Sequence, residues 1–406
     1  MISNRGWRAT FSSLENSEYR WYWLSSTAAA AVMQMNIFAR GWLVYDLTNS
    51  AVDLGWVSFA AGLPMFLLSP FGGAVADRMD KRNLIIASQS VMGIVLLAIA
   101  ILLLLDAVAV WHLIGAAVVT GLMLSFNIPS RQAIVPRLVE ERQVMNAVAL
   151  NSGSQNINRV VAPALGGILI GFLGIEGVYF IMFLLAAISG MLMLFVRSIS
   201  PELSGPPTTV GRDVVEGLRY ARRTPPVLSL LVMAIVPILF GMPYMMILPV
   251  FASDVHDLGA SGLGYLMAAA GTGAVIGSII VASLSEWRRK GLLLLGASVV
   301  FGFFLVLFAI ASNFGLALVF LLGVGIGNAS YLAINNSLLL LNTEDRMRGR
   351  VMSLYMMSIA FFPMAVLPAG AAIEAVGAPL VVGAGGAILI VFTLIMAMVR
   401  PSLRRM

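Results

Sequence analysis

Asn151, Gln155, Asn158 and Arg159 fall at i, i+4, i+7 and i+8 of an otherwise apolar stretch, which puts them on one face of a helix. Gln34 and Asn36 interrupt a second apolar run, and Asn328, Tyr331, Asn335 and Asn336 interrupt a third. These side chains donate and accept hydrogen bonds but carry no strong nucleophile, so the chemistry they offer is recognition. Arg40 and Arg159 are cations inside apolar runs. A charge at membrane depth costs about 2.5–3.5 kcal/mol on insertion scales and usually faces water, a cavity or a partner. The plainer role for each Asn or Gln is bonding between helices, worth about 0.6 kcal/mol per contact. For Arg40 the plainer role is pairing with Asp46 or Asp53. Proton coupling needs a carboxylate that can titrate, and Asp53 with Asp46, at the ends of apolar runs, are the candidates. The chain has no cysteine and two histidines, which removes thiol chemistry, disulfides and Cys-type metal sites. No P-loop and no His-Glu-x-x-His stretch is present. Neither a metal nor any other cofactor is expected, and no enzymatic activity.

Those residues sit in a very apolar chain. Of 406 residues, 60% are hydrophobic and 11% charged, against about 45–50% and about 25% in a soluble domain. Apolar segments run over 21–45, 54–76, 84–105, 111–130, 144–171, 176–196, 226–251, 262–284, 291–311, 315–339, 351–373 and 379–399, each near the length a membrane span requires. This predicts an all-α integral membrane protein of twelve transmembrane helices. Charge placement agrees. Of the 25 Lys and Arg residues, all but Arg40 and Arg159 fall in the terminal segments or in every second loop. The other loops carry Asp46, Asp53, Asp106, Glu176, Asp254, Asp257 and Glu374 instead. The positive-inside rule then places both termini in the cytoplasm. The basic residues are short runs split among loops, so no nucleic acid partner is expected.

The spans divide six and six around a Pro/Gly-rich stretch. The expected organisation is two pseudo-symmetric six-helix bundles, 1–197 and 226–406, joined by a linker, 198–225, that holds a short amphipathic helix. Two parallel repeats of this kind place a binding site between them, near the bilayer midplane. After the second span comes Gly73-Ala74-Val75-Ala76-Asp77-Arg78-Met79-Asp80-Lys81-Arg82. Its glycine permits close helix contact, Asp77 can cap a helix, and Arg78, Lys81 and Arg82 can pair with acids or lipid phosphate. That combination reads as a conformational latch built on Gly73, Asp77, Arg78, Asp80, Lys81 and Arg82.

The 73–82 stretch resembles the signature that follows the second helix of the major facilitator superfamily. Pro163, Gly166 and Gly167 in span five are similar to the antiporter motif of its drug:proton exporters, with Asn158 and Ala162 in place of the motif's first two glycines. Trp42–Ser50, Pro136–Val139 and Glu216–Pro225 resemble the bacterial branch that includes macrolide exporters and the enterobactin exporter. The resemblance implies the major facilitator fold, with spans one, four, seven and ten lining a central cavity and five and eleven contributing. On that basis Asn127, Tyr244 and Tyr355 join Gln34, Asn36, Arg40, Asn151, Gln155, Arg159, Asn328, Tyr331 and Asn335 as substrate-binding candidates. The span-four arginine of many antiporters is absent from 111–130. The resemblance implies export of amphipathic small molecules, drug-like or siderophore-like, across the bacterial inner membrane by alternating access and proton antiport. Its rival is import or facilitated passage of a small polar or anionic solute. The expected partners are substrate, protons and membrane lipid, around a monomer.

Overall fold

The computed structural model describes residues 12–198, 210–284, 287, 289–344 and 347–406; within these, residues 69–78, 210–214, 360 and 405 are described in their backbone alone. Among the described residues every regular element is helical. That follows from the composition, because a backbone in lipid must satisfy its own N–H and C=O groups. The helices are α1 (Ser17–Thr48), α2 (Ala51–Arg78), α3 (Lys81–Leu104), α4 (Val110–Leu138), α5 (Val144–Met193), α6 (Val210–Arg223), α7 (Pro225–Val236), α8 (Tyr244–Val250), α9 (Gly259–Ser283), α10 (Lys290–Ala309), α11 (Phe314–Leu341), α12 (Arg348–Ala360), α13 (Phe362–Val376) and α14 (Ala378–Val399).

Ten segments are long and apolar enough to cross a membrane. One of them contains α5, whose 50 residues turn at Gly174 (φ 71°, ψ 173°), a conformation that favours glycine. The turn falls between the spans that the sequence ends at 171 and starts at 176, so two crossings meet there. With the 32-residue α1, this is consistent with twelve crossings. Span seven is built from α7 and α8 with π-helical turns at Pro237–Gly241 and Phe251–Val255. Pro237 opens the first of these turns, where a proline removes a backbone hydrogen bond.

The turns on the acidic side are tight. Asn49, Asp106 and Asp257 have φ near 50°, joined by Gly174, Gly259 and Gly377 at positive φ. Asn and Asp tolerate this left-handed region better than other non-glycine residues. Two of the acidic residues that marked this side, Asp106 and Asp257, are therefore turn-formers as well. On the basic side Asp80 caps α3 by accepting from the Asn83 N–H at 2.8 Å.

Contacts divide the chain into two compact units, Met1–Leu43 with Leu63–Pro206 and Val44–Gly62 with Pro207–Met406. The first buries Tyr19, Tyr22, Ile85, Ile134, Leu138 and Met193 together. The second packs small residues of α9 against α11 and buries Leu230, Met233, Leu294, Tyr331, Leu338 and Val351 in one cluster.

Candidate functional site

In the first unit Arg40 and Asn36, one turn apart on α1, line a small cavity with Thr120 of α4 and Tyr179 of α5. Its apolar wall comes from α3 and α4, including Leu96, Ile99 and Leu113. Among the described residues no carboxylate forms an ion pair with Arg40, so the pairing with Asp46 or Asp53 does not occur. Asp46 is exposed and Asp53 partly buried, at the first turn of α2, where its backbone N–H is held by the Ser50 hydroxyl at 3.2 Å. Gln34 lies a turn and a half before Arg40 and is partly buried.

The polar stripe of α5 splits. Asn151 accepts from Ser26 at 2.7 Å, and Asn158 donates to the Thr27 and Ser154 carbonyls. These two bond α5 to α1. Gln155 and Arg159 lie on the exposed side. Ala162, Pro163, Gly166 and Gly167 are buried, and a Cβ at Gly166 would stand 2.8 Å from the Phe38 ring. The antiporter-like motif thus seats α5 directly on α1.

Asn127 is committed to structure: it donates to Ser88 at 3.2 Å and accepts from Arg131 at 2.9 Å. Arg131 is the residue that sequence reading missed. The sequence ends that apolar run at 130, just before Arg131 and Gln132, but α4 continues through Pro129 and Pro136 to Leu138. Arg131 therefore belongs to the helix interior, where it also donates to Ser189 at 3.2 Å and Ser25 at 3.5 Å. Gln89 reaches the same Ser189 hydroxyl at 2.8 Å, and the Tyr22 hydroxyl donates to the Arg131 carbonyl at 2.9 Å. One guanidinium joins α1, α4 and α5, and Gln89 and Ser88 tie α3 to the same side chains. Hydrogen bonds to charged groups contribute about 1.5–3 kcal/mol. Arg131→Ala is expected to lower the thermal unfolding midpoint in detergent by a loss of about that size, whereas Gln132→Ala, exposed on the same helix, stays near wild type.

In the second unit α11 carries Asn328, Asn335 and Asn336 at i, i+7 and i+8. The Asn328 and Asn336 side-chain oxygens and both amide atoms of Asn335 are buried without a hydrogen bond of good geometry. Asn335 is fully buried, with Tyr355 of α12 beside it. Tyr331 is spent on the Met233 carbonyl at 2.5 Å. Tyr244, at the start of α8 between the two π turns, is buried edge-on to Phe301.

A close seam joins Val44–Gly62 to the rest of the second unit. The Tyr45 hydroxyl donates to Asp254 at 2.5 Å, and Glu374 accepts from the Ser50 hydroxyl at 2.6 Å and the Val52 N–H at 3.3 Å. Asp254 and Glu374, which the sequence reading did not single out as site residues, make these contacts. His256 follows Asp254 closely; burial lowers its basicity, so it stays neutral near pH 7.

Of the latch residues, Asp80 caps α3, Lys81 is buried, and Arg82 donates to the Met193 and Leu194 carbonyls at 3.1 and 2.9 Å. The sequence suggested an acid or a lipid phosphate for Arg82; its partner is instead the negative end of α5, where a cation is favoured. The side chains of Gly73, Asp77 and Arg78 lie outside the described residues. The linker helix α6 packs through Gly217, Tyr220 and Ala221. Its Glu216 pairs with Arg350 at 2.8 Å, and Val215 and Leu218 stay exposed.

Comparison with known proteins places this arrangement. The transmembrane secretion effector family matches residues 8–405. The chain is 27% identical over 335 residues to the staphyloferrin A transporter of Staphylococcus aureus, covering 80% of this chain and 82% of that one. It is 24% identical to the multidrug efflux pump Tap of Mycolicibacterium fortuitum, covering 87% and 88%. It is 26% identical to the enterobactin exporter EntS of Shigella flexneri, covering 76% and 73%. Among solved structures, the nucleoside transporter NupG superposes with a TM-score of 0.73 at 14% identity, covering 95% of this chain and 99% of that one. A POT family transporter superposes at 0.74 with 13% identity, covering 98% and 96%. These likenesses give the major facilitator fold. The chain is a multi-pass membrane transporter and belongs to the transmembrane secretion effector family of the major facilitator superfamily.

Proposed function

We propose that this protein exports amphipathic small molecules across the bacterial inner membrane, with both termini cytoplasmic, by alternating access coupled to inward proton flow. The observation that carries the reading is the row of buried amides on α11, of which the Asn328 and Asn336 oxygens lack a partner. A buried polar group without a partner costs about 1–3 kcal/mol, and two on one helix face suit a site that a substrate completes. Apolar side chains around them suit the hydrocarbon part of such a substrate. The efflux relatives named above favour small drug-like or siderophore-like cargo and the outward direction. The seam at Tyr45–Asp254 and Ser50–Glu374 is the part that must open to release it.

Asp53 is our choice for the proton-linked carboxylate, with Asp46 as its neighbour. It sits beside the seam, its backbone N–H is held by the Ser50 hydroxyl, and its carboxylate makes no hydrogen bond among the described residues. The test is a substrate-panel flux measurement in proteoliposomes with an imposed pH gradient. Export reading predicts gradient-driven movement of at least one amphipathic compound in the outward sense. Asp53→Asn is expected to abolish the gradient dependence while leaving downhill exchange. Full pH-driven flux in that variant removes Asp53 from the coupling; movement only in the inward sense replaces export with import.

A further inference from the structure

The linker helix α6 has two unlike faces. Glu216, Gly217, Tyr220 and Ala221 form the inner one. Glu216 pairs with Arg350 at 2.8 Å, the Tyr220 hydroxyl accepts from the Glu344 N–H at 3.2 Å, and Ala221 is fully buried. A Cβ at Gly217 would stand 3.2 Å from the Arg350 carbonyl oxygen and 3.3 Å from the Leu354 side chain. Val215, Leu218, Arg219 and Arg222 recur at i, i+3, i+4 and i+7 on the other face, with Arg223 beside them. All five are exposed. The three guanidiniums make no hydrogen bond or ion pair among the described residues. Val215 and Leu218 are 54% and 40% exposed, although the inner face already supplies the packing that holds the helix.

Position limits what can cover the outer face. Arg223 lies two residues before Pro225, where a membrane-spanning segment begins. Gly217 meets Leu354, within the first two turns of the segment that begins at Arg348. The helix is thereby held at two points to the edge of the hydrocarbon, the depth at which lipid headgroups lie. We propose that the outer face of α6 binds the headgroups of anionic phospholipids. A guanidinium offers a planar fork of N–H donors that matches two oxygens of a phosphate. Aliphatic side chains interleaved with such cations suit the boundary between headgroup and acyl chain, where interfacial helices lie. Free phosphate matches the charge but makes no use of Val215 and Leu218. The inference concerns lipid alone and holds whichever way substrate moves.

The test uses the purified full-length chain in non-ionic detergent. Val215→Cys, labelled with an environment-sensitive fluorophore, reports on the outer face alone, since the chain has no other cysteine. The probes are phosphatidylglycerol, zwitterionic phosphatidylcholine, inorganic phosphate and oligoglutamate. Phosphatidylglycerol is expected to shift the emission to the blue with saturation, and phosphatidylcholine to do so far more weakly. Arg222→Gln should raise the midpoint of the phosphatidylglycerol titration about fivefold, the factor for one basic residue at an anionic surface. Replacing Arg219, Arg222 and Arg223 together by Gln should raise it about a hundredfold at low salt, and added salt should weaken the wild-type response. Should the labelled variant lose its monodisperse peak on size exclusion, Leu218→Cys takes its place. Equal responses to the two lipids overturn the proposal, and so does an unchanged midpoint in the triple variant. Inorganic phosphate saturating the same shift would make the face an ion site without lipid. Oligoglutamate displacing phosphatidylglycerol would make it a docking face for an acidic protein. Either result overturns the proposal. No gradient or flux is involved, so the outcome is independent of the export reading.

Discussion

Gly325→Val is expected to leave little folded protein. Gly325 lies on α11 where that helix meets α9, and a Cβ there would stand 2.1 Å from the Ala270 carbonyl oxygen and 2.9 Å from the Ala274 nitrogen. Across the same contact a Cβ at Gly273 would stand 2.0 Å from the Leu322 carbonyl oxygen. These neighbours are backbone, so no rotamer change relieves the clash; the helices must separate. Helix association in lipid depends on such close approach between small residues, because apolar burial gives no preference for protein over lipid. Overpacking costs about 1–3 kcal/mol or more even where side chains can adjust, and here they cannot. Detergent-solubilised Gly325→Val should lose its monodisperse peak on size exclusion, and Gly325→Ala should lower the unfolding midpoint. Gly296→Val on α10, where a Cβ meets nothing within 4 Å, is the control expected to behave as wild type. A wild-type profile for Gly325→Val would mean that α9 and α11 do not touch as described. The effect also bears on transport, since Asn328 sits one turn along from Gly325 on the helix that carries the unmet amides.

The helices were legible in the sequence because lipid leaves the backbone few choices. Long apolar runs had to be helical, and tight polar turns had to separate them. What blurred was every boundary where polarity and helicity part company. At Ser130-Arg131-Gln132 the run turns polar while the backbone stays helical, because Asn127, Ser25 and Ser189 absorb the charge. The break between the spans ending at 171 and starting at 176, by contrast, coincides with the turn at Gly174. The site was harder still. Periodicity put Asn151, Gln155, Asn158 and Arg159 on one stripe, but it could not say that Ser26 and Thr27 on α1 would take Asn151 and Asn158 and leave the other two exposed. It also could not separate Asn127, spent on Arg131, from Asn328, whose buried oxygen has no partner. Residue type gives hydrogen-bonding capacity; only tertiary contacts decide whether that capacity is already used. The acids at the seam could not be read for the same reason: Asp254 and Glu374 approach Tyr45 and Ser50 from elements distant in sequence.

The seam gives the largest functional expectation. Two hydrogen bonds to carboxylates, from Tyr45 and Ser50, close it, and the backbones beneath them fit tightly: a Cβ at Gly370 would stand 2.2 Å from the Ala51 carbonyl oxygen, and one at Gly55 would stand 2.6 Å from Leu367 Cα. The bonds lie near the surface, so each contributes about 0.5–1.5 kcal/mol. Tyr45→Phe combined with Glu374→Gln removes one and weakens the other without adding bulk. A combined loss near 1.4 kcal/mol shifts the closed-to-open ratio about tenfold. The chain has no cysteine of its own, so Leu367→Cys, facing Gly55, is a clean reporter. Its reaction with a membrane-impermeant maleimide supplied from the acidic-loop side is expected to rise about tenfold in the double variant, the same factor as the shift in ratio. Unchanged labelling would show that these carboxylates do not hold the seam. Asp53→Asn, which breaks neither bond, should leave labelling at the wild-type rate even while it removes the gradient dependence of export. That contrast assigns closure to Tyr45, Asp254, Ser50 and Glu374, and coupling to Asp53, through two readouts that cannot substitute for one another.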